Sequence, residues 1–173
     1  MTTSLQIGAK MQTVIAVSGI KNSGKTTLLT RLVSELSGRG LKVAVIKHDG
    51  HDFDCDIHGT DTRKFTDHGA YGTACFSGNR MFVHRIGTGE TYDNLIRLFP
   101  EADIIFIEGA KDSAFHKIEV VRRAISCEPV SNREGRFLIA TDMPEKDFGE
   151  ETIDINDIRG IAEKIEEITG RGA

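Results

Sequence analysis

The chain has 173 residues, the size of one domain with a substantial hydrophobic core. Its composition, 39% hydrophobic and 28% charged, is ordinary for a soluble globular protein, and no apolar run reaches the length of a membrane span. The formal net charge of −4 argues against a general nucleic-acid binder. The cysteines are odd in number and form no C-x-x-C pair, so we expect a reducing, cytoplasmic location.

The first elements of the predicted fold lie on either side of a glycine-rich segment. Residues 1–12 lack the apolar region of a secretory signal and are expected to be a disordered lead-in to a single domain over 13–173. The β-branched, apolar stretch 13–17 predicts a buried strand. Leucine and valine recur at helical spacing over 28–36, which predicts an amphipathic helix.

The sequence between this strand and helix is GIKNSGKT, which matches the phosphate-binding P-loop G-x-x-x-x-G-K-[ST]. Gly19 and Gly24 permit backbone conformations and a close approach that a Cβ would hinder. Successive amides and the helix N-terminus direct donors and positive partial charge at an anion. We therefore expect Lys25 to reach the β- and γ-phosphates of a nucleotide and the Thr26 hydroxyl to ligate Mg²⁺.

The next stretch of the chain predicts a second strand and then a β-hairpin. After a turn at 37–40, residues 41–46 read as a strand, which implies a right-handed parallel crossover. The polar segment 49–59 is expected to be a functional loop, followed by a short helix over 60–68. Two strand-like runs, 71–76 and 81–86, are separated by the turn sequence SGNR and predict an inserted hairpin.

The last part of the chain alternates helices and strands again. A short helix that Thr88 or Thr91 caps is expected to end at Pro100. Strands are predicted at 103–107, 117–121 and 136–140, and a final helix at 155–168, capped by Asn156 or Asp154. The fold class is therefore α/β and P-loop NTPase-like, with a mostly parallel central sheet flanked by helices and an inserted β-hairpin.

Candidate site residues follow the predicted strands, because ligands of such sheets bind at the carboxyl ends of the strands. Glu108 ends an apolar strand, where an acid normally holds Mg²⁺ directly or through water. It can alternatively orient an attacking water as a general base, or simply cap a turn. Asp49 is a second candidate for the magnesium sphere, since Mg²⁺ takes one or two carboxylates and keeps several waters.

A carboxylate is also a candidate for reading the nucleotide base, because the N-K-x-D motif of Ras-like GTPases is absent. Asp142 closes the last predicted core strand. An ionised carboxylate only accepts hydrogen bonds, and guanine offers two adjacent donors that adenine lacks. The hypothesis is that Asp142 selects guanine; the alternative is an aspartate that forms a turn before Pro144.

The polar loop contains His48, His51, Cys55 and His58 among several aspartates, a composition that occurs in transition-metal sites. Its spacing matches no zinc pattern. A polar substrate or switch loop is the favoured interpretation.

Several segments in order resemble the family of molybdopterin-guanine dinucleotide biosynthesis protein B (MobB). The lysine–histidine strand end followed by spaced acids is more diagnostic than the P-loop alone. The resemblance spans roughly 13–168, with one departure at Ala110, where the family tends to carry a bulky residue. The matching positions are 19–28, 45–48, His51, Asp54, Asp56, Gly59, Asp61, 69–70, 103–109, Lys111, Lys117, Arg122 and 154–157.

The resemblance implies a GTP-binding, weakly hydrolysing homodimer in molybdenum cofactor biosynthesis that assists the guanylyltransferase MobA. The metal ligands would be Thr26, Asp49 and Glu108, and Lys25 and Glu108 would serve hydrolysis. The loop 48–61 with Lys111 would receive the pterin phosphate of molybdopterin or the partner, and the hairpin would extend the sheet of a second copy. The expected ligand-binding residues are Gly19, Lys21, Asn22, Ser23, Gly24, Lys25, Thr26, Thr27, His48, Lys111 and Asp142.

Two alternatives from other functional classes stay open at this point. A small-molecule kinase would use the P-loop to transfer the γ-phosphate to a metabolite bound by the polar loop. A nucleotide-binding structural adaptor would not use hydrolysis. Weak hydrolysis is expected for the GTP-binding accessory protein, which is the leading hypothesis, because no arginine finger or water-positioning glutamine can be assigned from the sequence.

Overall fold

The computed structural model describes residues 12–49, 53–87 and 89–170, which belong to two compact units. The larger unit contains the described residues up to His48 and from Ile96 onward, and the smaller unit spans Asp49–Leu95. In chain order the elements are β1 (Thr13–Ser18), α1 (Lys25–Gly38), β2 (Val43–Lys47), α2 (Asp61–Asp67), β3 (Gly72–Phe76), β4 (Met81–Arg85), α3 (Tyr92–Ile96), β5 (Ile104–Glu108), β6 (His116–Val121), β7 (Arg136–Thr141), β8 (Thr152–Asp154) and α4 (Ile158–Thr169).

The larger unit is built on a six-stranded sheet in the order β2-β5-β1-β6-β7-β8, and all neighbouring strands are parallel. Strand β1 lies between β5 and β6, with Thr13 opposite Ile104 and Ile15 opposite His116. Both β1 and β5 are almost continuously apolar and buried, which is typical of strands covered on both faces. The predicted mostly parallel α/β fold is confirmed.

Helices α1 and α4 pack together on one face of this sheet. Their apolar residues and alternate strand residues form one core cluster, and burial of this surface is the main favourable term in folding. Arg39 at the end of α1 joins the two helices, because it contacts Glu35 and Glu166 at 2.7 Å each. A second, smaller cluster contains Val121, Ile139 and Met143.

The smaller unit contains α2 and the predicted hairpin. The Thr60 side chain caps α2 by accepting a hydrogen bond from the Arg63 N–H, and α2 packs against β3. Strands β3 and β4 are antiparallel, with Phe76 opposite Met81 and Ala74 opposite Val83. The inserted hairpin is therefore confirmed within one residue at each end.

The structure corrects the predicted start of the last helix and adds a strand. Helix α4 begins at Ile158 rather than 155, and its N-cap is Asp157, not Asn156 or Asp154. The three preceding residues, Thr152–Asp154, pair with β7 as the edge strand β8, which is too short to produce a recognisable sequence pattern.

The predicted lead-in, residues 1–12, lies outside the described residues except for Gln12. The Gln12 side chain is buried and donates hydrogen bonds to the carbonyls of Phe99 and Ala102 at 2.7 and 3.2 Å. The prediction of a single domain over 13–173 stays a prediction. No helix in the described part of the chain has the length and apolar character needed to cross a membrane.

Candidate functional site

The glycine-rich loop connects the end of β1 to the start of α1 and depends on backbone conformations that most residues avoid. Gly19, Asn22 and Gly24 have φ values of +140°, +66° and +97°. A Cβ built on Gly19 would lie 2.5 Å from the carbonyl oxygen of Val120 on the neighbouring strand β6. Glycine at this position is therefore required both by conformation and by space.

The loop presents backbone donors at its helical end. Gly24 is the N-cap of α1 and provides no side-chain acceptor for the first turn of the helix. The first intrahelical bond runs from the Leu28 N–H to the Gly24 carbonyl at 2.9 Å. The N–H groups of Lys25, Thr26 and Thr27 precede this bond, and together with the helix dipole they form a site suited to an anion.

The Lys25 side chain folds back onto the glycine-rich loop. Its Nζ donates to the carbonyl oxygens of Gly19 and Ile20 at 3.0 and 2.8 Å. Burial lowers the pKa of Lys25, and the negative charges of Glu108 and Glu119 partly offset this effect. The ammonium group is thus already at the loop, where it can move to a bound phosphate with little rearrangement.

Thr26 and Glu108 meet beside the loop. The Thr26 hydroxyl donates a hydrogen bond of 2.8 Å to Oε1 of Glu108, which ends β5. A hydroxyl and a carboxylate are hard oxygen ligands, and Mg²⁺ uses one or two such protein groups together with waters and substrate phosphates. These two side chains fit a magnesium ion.

A buried polar atom lies within the same loop. Ser23 is almost completely buried, and its hydroxyl has no hydrogen-bond partner among the described residues. The Ser23 N–H donates to the Ile20 carbonyl at 3.1 Å, which closes the turn. Lys21 and Asn22 are exposed at the tip of the loop, and Thr27 is exposed on the first turn of α1.

The other predicted ligand residues occupy different positions around this centre. His48 follows β2, and its N–H donates to the Glu108 carbonyl at 3.2 Å. Lys111 is exposed after the turn formed by Gly109 and Ala110, whose φ values are +114° and +55°. Asp49 belongs to the smaller unit, and its role as a metal ligand stays a prediction.

Asp142 follows β7 and is bound on both carboxylate oxygens. Oδ1 accepts from the Arg123 N–H at 2.8 Å, and Oδ2 accepts from Nε of Arg122 at 3.0 Å. The Arg123 N–H, followed by the Arg122 guanidinium, holds the pKa of Asp142 below its usual value. A Cβ built on Gly24 would lie 3.6 Å from Nη1 of Arg122, so this pair extends to the glycine-rich loop.

Sequence reasoning assigned no role to Arg122 or to the buried Glu119. The Glu119 carboxylate accepts from the Ser18 hydroxyl at the end of β1, and from the N–H groups of Val130 and Ser131 at 2.8 and 3.3 Å. It therefore fixes the strand end from which the loop departs. Their positions in the sequence were the available signal: Glu119 is a charged residue inside the predicted strand 117–121, and Arg122 directly follows that strand.

The polar loop of the smaller unit has a structural explanation in its described part. Asp56 accepts hydrogen bonds from the hydroxyls of Thr60 and Thr62 at 3.2 and 3.0 Å, which organises the start of α2. His51 lies outside the described residues. Within 12–49, 53–87 and 89–170, no group of three His, Cys, Asp or Glu side chains could hold a metal ion.

The amino-acid sequence is similar to those of known proteins. The family model described as molybdopterin guanine dinucleotide synthesis protein B (MobB) matches residues 14–142. The molybdopterin-guanine dinucleotide biosynthesis adapter protein of Escherichia coli K12 is 30% identical over 167 residues, which cover 92% of this chain and 95% of that protein. Its namesake in Haemophilus influenzae is 29% identical over 156 residues, with 88% and 87% covered.

Solved structures show the same fold. The crystal structure of Bacillus subtilis MobB superposes with a TM-score of 0.71 at 23% identity, and the match covers 90% of this chain and 96% of that one. The family model and the similarity to the E. coli protein extend over most of the chain. This chain is therefore a member of the MobB family.

Proposed function

We propose that this protein is a GTP-binding adapter of molybdenum cofactor biosynthesis, which assists guanylyl transfer to molybdopterin. The observation that carries the proposal is the Thr26–Glu108 hydrogen bond beside a helix N-terminus that has no side-chain cap. A P-loop with an adjacent pair of oxygen ligands suits a magnesium-bound nucleoside triphosphate. The names of the E. coli and H. influenzae relatives support the pathway.

Nucleotide binding would use groups that are already in position. Lys25 would exchange the carbonyl oxygens of Gly19 and Ile20 for phosphate oxygens, and the first-turn amides of α1 would donate to the same phosphates. Thr26 and Glu108 would separate to hold Mg²⁺, directly or through water. When bound, the ion supplies positive charge that neutralises the phosphate oxygens.

Weak GTP hydrolysis is consistent with the groups around the site. Glu108 is the candidate to orient the attacking water. Gln12, the glutamine in the part of the chain that the structure describes, cannot do so, because its amide is bound to the carbonyls of Phe99 and Ala102. A water-positioning glutamine contributes a large factor in fast GTPases, so turnover without one is expected to be slow.

The partner and the second ligand of this proposal would be MobA and molybdopterin. His48 follows β2 and its N–H donates to the Glu108 carbonyl, whereas Lys111 follows Glu108 in the chain; both side chains are exposed. Cationic and hydrogen-bonding groups there suit an anionic pterin phosphate. Lys111→Glu is expected to weaken binding of molybdopterin or MobA; unchanged binding would contradict this assignment.

We further propose that two copies associate through the hairpin of β3 and β4. Phe76, Met81 and Val83 lie on one face of the hairpin, because Phe76 pairs with Met81 and Val83 pairs with Ala74. These three side chains are 82%, 73% and 60% exposed. An apolar face of this kind typically marks an interaction surface.

The test of GTP binding is a thermal-unfolding titration with GTP and with ATP, in the presence and absence of Mg²⁺. A ligand at a hundred times its dissociation constant stabilises the folded state by about 2.7 kcal/mol. We expect a larger shift with GTP than with ATP. Lys25→Ala should abolish the shift, and Thr26→Ala should remove its dependence on Mg²⁺.

Thr30→Ala is the matched control, since Thr30 lies on the same helix and its hydroxyl binds only the Thr27 carbonyl in the described structure. It should respond like the wild type. A stronger response to ATP would contradict the guanine-specific proposal and favour the small-molecule kinase. Cofactor synthesis that persists in cells carrying Lys25→Ala would favour the structural adaptor, whose function does not require hydrolysis.

A further inference from the structure

Arg122 lies at the same edge of the sheet as the glycine-rich loop. Strands β1 and β6 are parallel neighbours, with Val17 opposite Ile118 and Ser18 opposite Glu119. The residues after both strands therefore emerge side by side. Arg122 directly follows the last residue of β6, and its carbonyl accepts the N–H groups of Ile125 and Ser126 at 2.9 Å each, so its backbone is fixed by a turn.

Among the described residues, one nitrogen of the Arg122 guanidinium is held by a protein acceptor. Nε donates to Oδ2 of Asp142 at 3.0 Å, and the Arg123 N–H anchors Oδ1 of the same carboxylate. In the described part of the chain, neither Nη atom donates a hydrogen bond to a protein acceptor. The side chain is 40% exposed, so a ligand can approach it from solvent.

Gly24 connects this guanidinium to the glycine-rich loop. Nη1 of Arg122 lies 3.6 Å from the position that a Cβ of Gly24 would take. Gly24 is also the N-cap of α1, so the guanidinium lies beside first-turn amides that are suited to an anion. A guanidinium presents a planar fork of donors that matches phosphate oxygens, and a hydrogen bond between two charged groups is stronger than a neutral one.

We propose that Arg122 binds the phosphate chain of the nucleotide beside Gly24, and that Asp142 is the positioning residue that orients its guanidinium. This inference rests on the proposed nucleotide binding by the glycine-rich loop. It gives Asp142 a role different from the selection of guanine. Both carboxylate oxygens already accept protein donors, and the one that binds Nε directs the remaining guanidinium donors away from Asp142.

The two roles of Asp142 lead to opposite expectations for Asp142→Asn. If Asp142 positions Arg122, GTP and ATP affinities fall by the same factor, because both nucleotides carry the same triphosphate. If Asp142 reads guanine, GTP affinity falls and ATP affinity does not. The ratio of the two dissociation constants therefore separates the roles without knowledge of the absolute affinity.

The experiment measures dissociation constants of GTP, ATP and inorganic triphosphate, all with Mg²⁺, by titration calorimetry. Arg122→Ala is expected to weaken all three ligands by a common factor of about 10 to 100, the range for a lost hydrogen bond to a charged group. Arg122→Lys should recover part of this loss, since it keeps the charge but not the fork. Asp142→Asn should weaken all three by a smaller common factor.

Arg123→Ala is the matched control. Arg123 lies in the same turn, but its guanidinium binds Glu145. The affinities of Arg123→Ala for the three ligands should stay within about twofold of the wild type, because the lost Arg123–Glu145 ion pair is exposed and contributes little energy. In the double variant Arg122→Ala/Asp142→Asn, affinity should equal that of Arg122→Ala, because a positioning residue contributes nothing once its target is gone. The unfolding midpoint of each variant without nucleotide verifies that it is folded.

Several outcomes would overturn the inference. Wild-type affinity in Arg122→Ala would remove Arg122 from the site, whereas unchanged binding of inorganic triphosphate alone would indicate a contact with the base. A changed GTP/ATP ratio in Asp142→Asn would return Asp142 to base selection. Wild-type protein that binds ATP but not GTP would overturn the proposed function and leave the Arg122 contact standing if Arg122→Ala weakens ATP. Wild-type protein that binds none of the three ligands would overturn both.

Discussion

Gly19 is the residue at which the chain leaves β1 and enters the glycine-rich loop. Its φ of +140° lies in a region that L-residues rarely adopt, and a Cβ would approach the Val120 carbonyl oxygen to 2.5 Å and the Ser23 hydroxyl to 2.8 Å. The backbone of the adjacent strand therefore leaves no space for a side chain at this position.

Gly19→Ala is expected to lower the free energy of unfolding by about 3 kcal/mol or more, because conformational strain adds to a clash with backbone. Gly40→Ala provides the control, since Gly40 has a φ of +85° and a Cβ there would meet nothing within 4 Å. It should lose only about 1 kcal/mol from strain alone. Urea denaturation measures both losses; equal losses would show that the Val120 contact is not limiting.

At the scale of residues, the sequence was sufficient to select candidate site residues where a local motif or a strand end defined their position. Thr26 and Glu108 lie far apart in the chain, yet both are found at ends of predicted elements, and the structure brings them into contact. The Arg122–Asp142 pair could not be derived in this way. It depends on the order of the strands, specifically on β6 lying between β1 and β7, which is a property of tertiary packing.

At the scale of elements, the start of α4 shows how several equivalent caps compete. Asp154, Asn156 and Asp157 all have side chains that can cap a helix. Oδ1 of Asp154 accepts instead from the Asn156 N–H at 2.7 Å, and Oδ1 of Asn156 accepts from Arg31 at 3.2 Å. Asp157 remains, and it accepts from the Gly160 N–H at 2.9 Å. The sequence-based prediction named Asn156 or Asp154 and missed Asp157, because the local chemistry is the same for all three residues.

Asp157→Ala is expected to lower the free energy of unfolding by about 0.5–2 kcal/mol, the usual effect of losing an N-cap acceptor. Asp157→Asn retains an oxygen that can accept from Gly160 and should be close to the wild type. Chemical denaturation followed by far-ultraviolet circular dichroism measures the difference. If the alanine and asparagine variants were equally stable, the cap would not contribute.

At the scale of the whole molecule, the proposed dimer depends on the apolar face of the hairpin. Val83→Lys adds a charge to the centre of this face and is expected to convert a dimer to a monomer, because an unpaired buried charge is costly. Leu98→Lys is the control: Leu98 is 62% exposed and lies outside the hairpin. Light scattering coupled to size exclusion gives the masses. A wild-type monomer, or a dimer in both variants, would contradict the proposed interface.

The alternation of strand and helix patterns was enough to predict the α/β class. The continuous apolar strands indicate the same class, because such strands occur when both faces of a parallel sheet are covered. The hairpin was also predictable, since its two runs flank a short turn sequence. The edge strand β8 was not, because three residues carry no measurable periodicity. The division into two compact units was likewise not predicted from the sequence.

The central position of β1 has a consequence for how the protein is made. This strand is synthesised before the other described elements, but both strands that flank it, β5 and β6, are synthesised only after the entire smaller unit. Its pairings are therefore remote in sequence, and remote pairings slow folding relative to local ones. The glycine-rich loop passes against Val120, so its final shape is reached only once β6 has joined the sheet. If this loop binds nucleotide as we propose, the nucleotide would act late in biogenesis: it would stabilise a chain whose sheet is assembled and would not guide the folding of the nascent segment that contains β1.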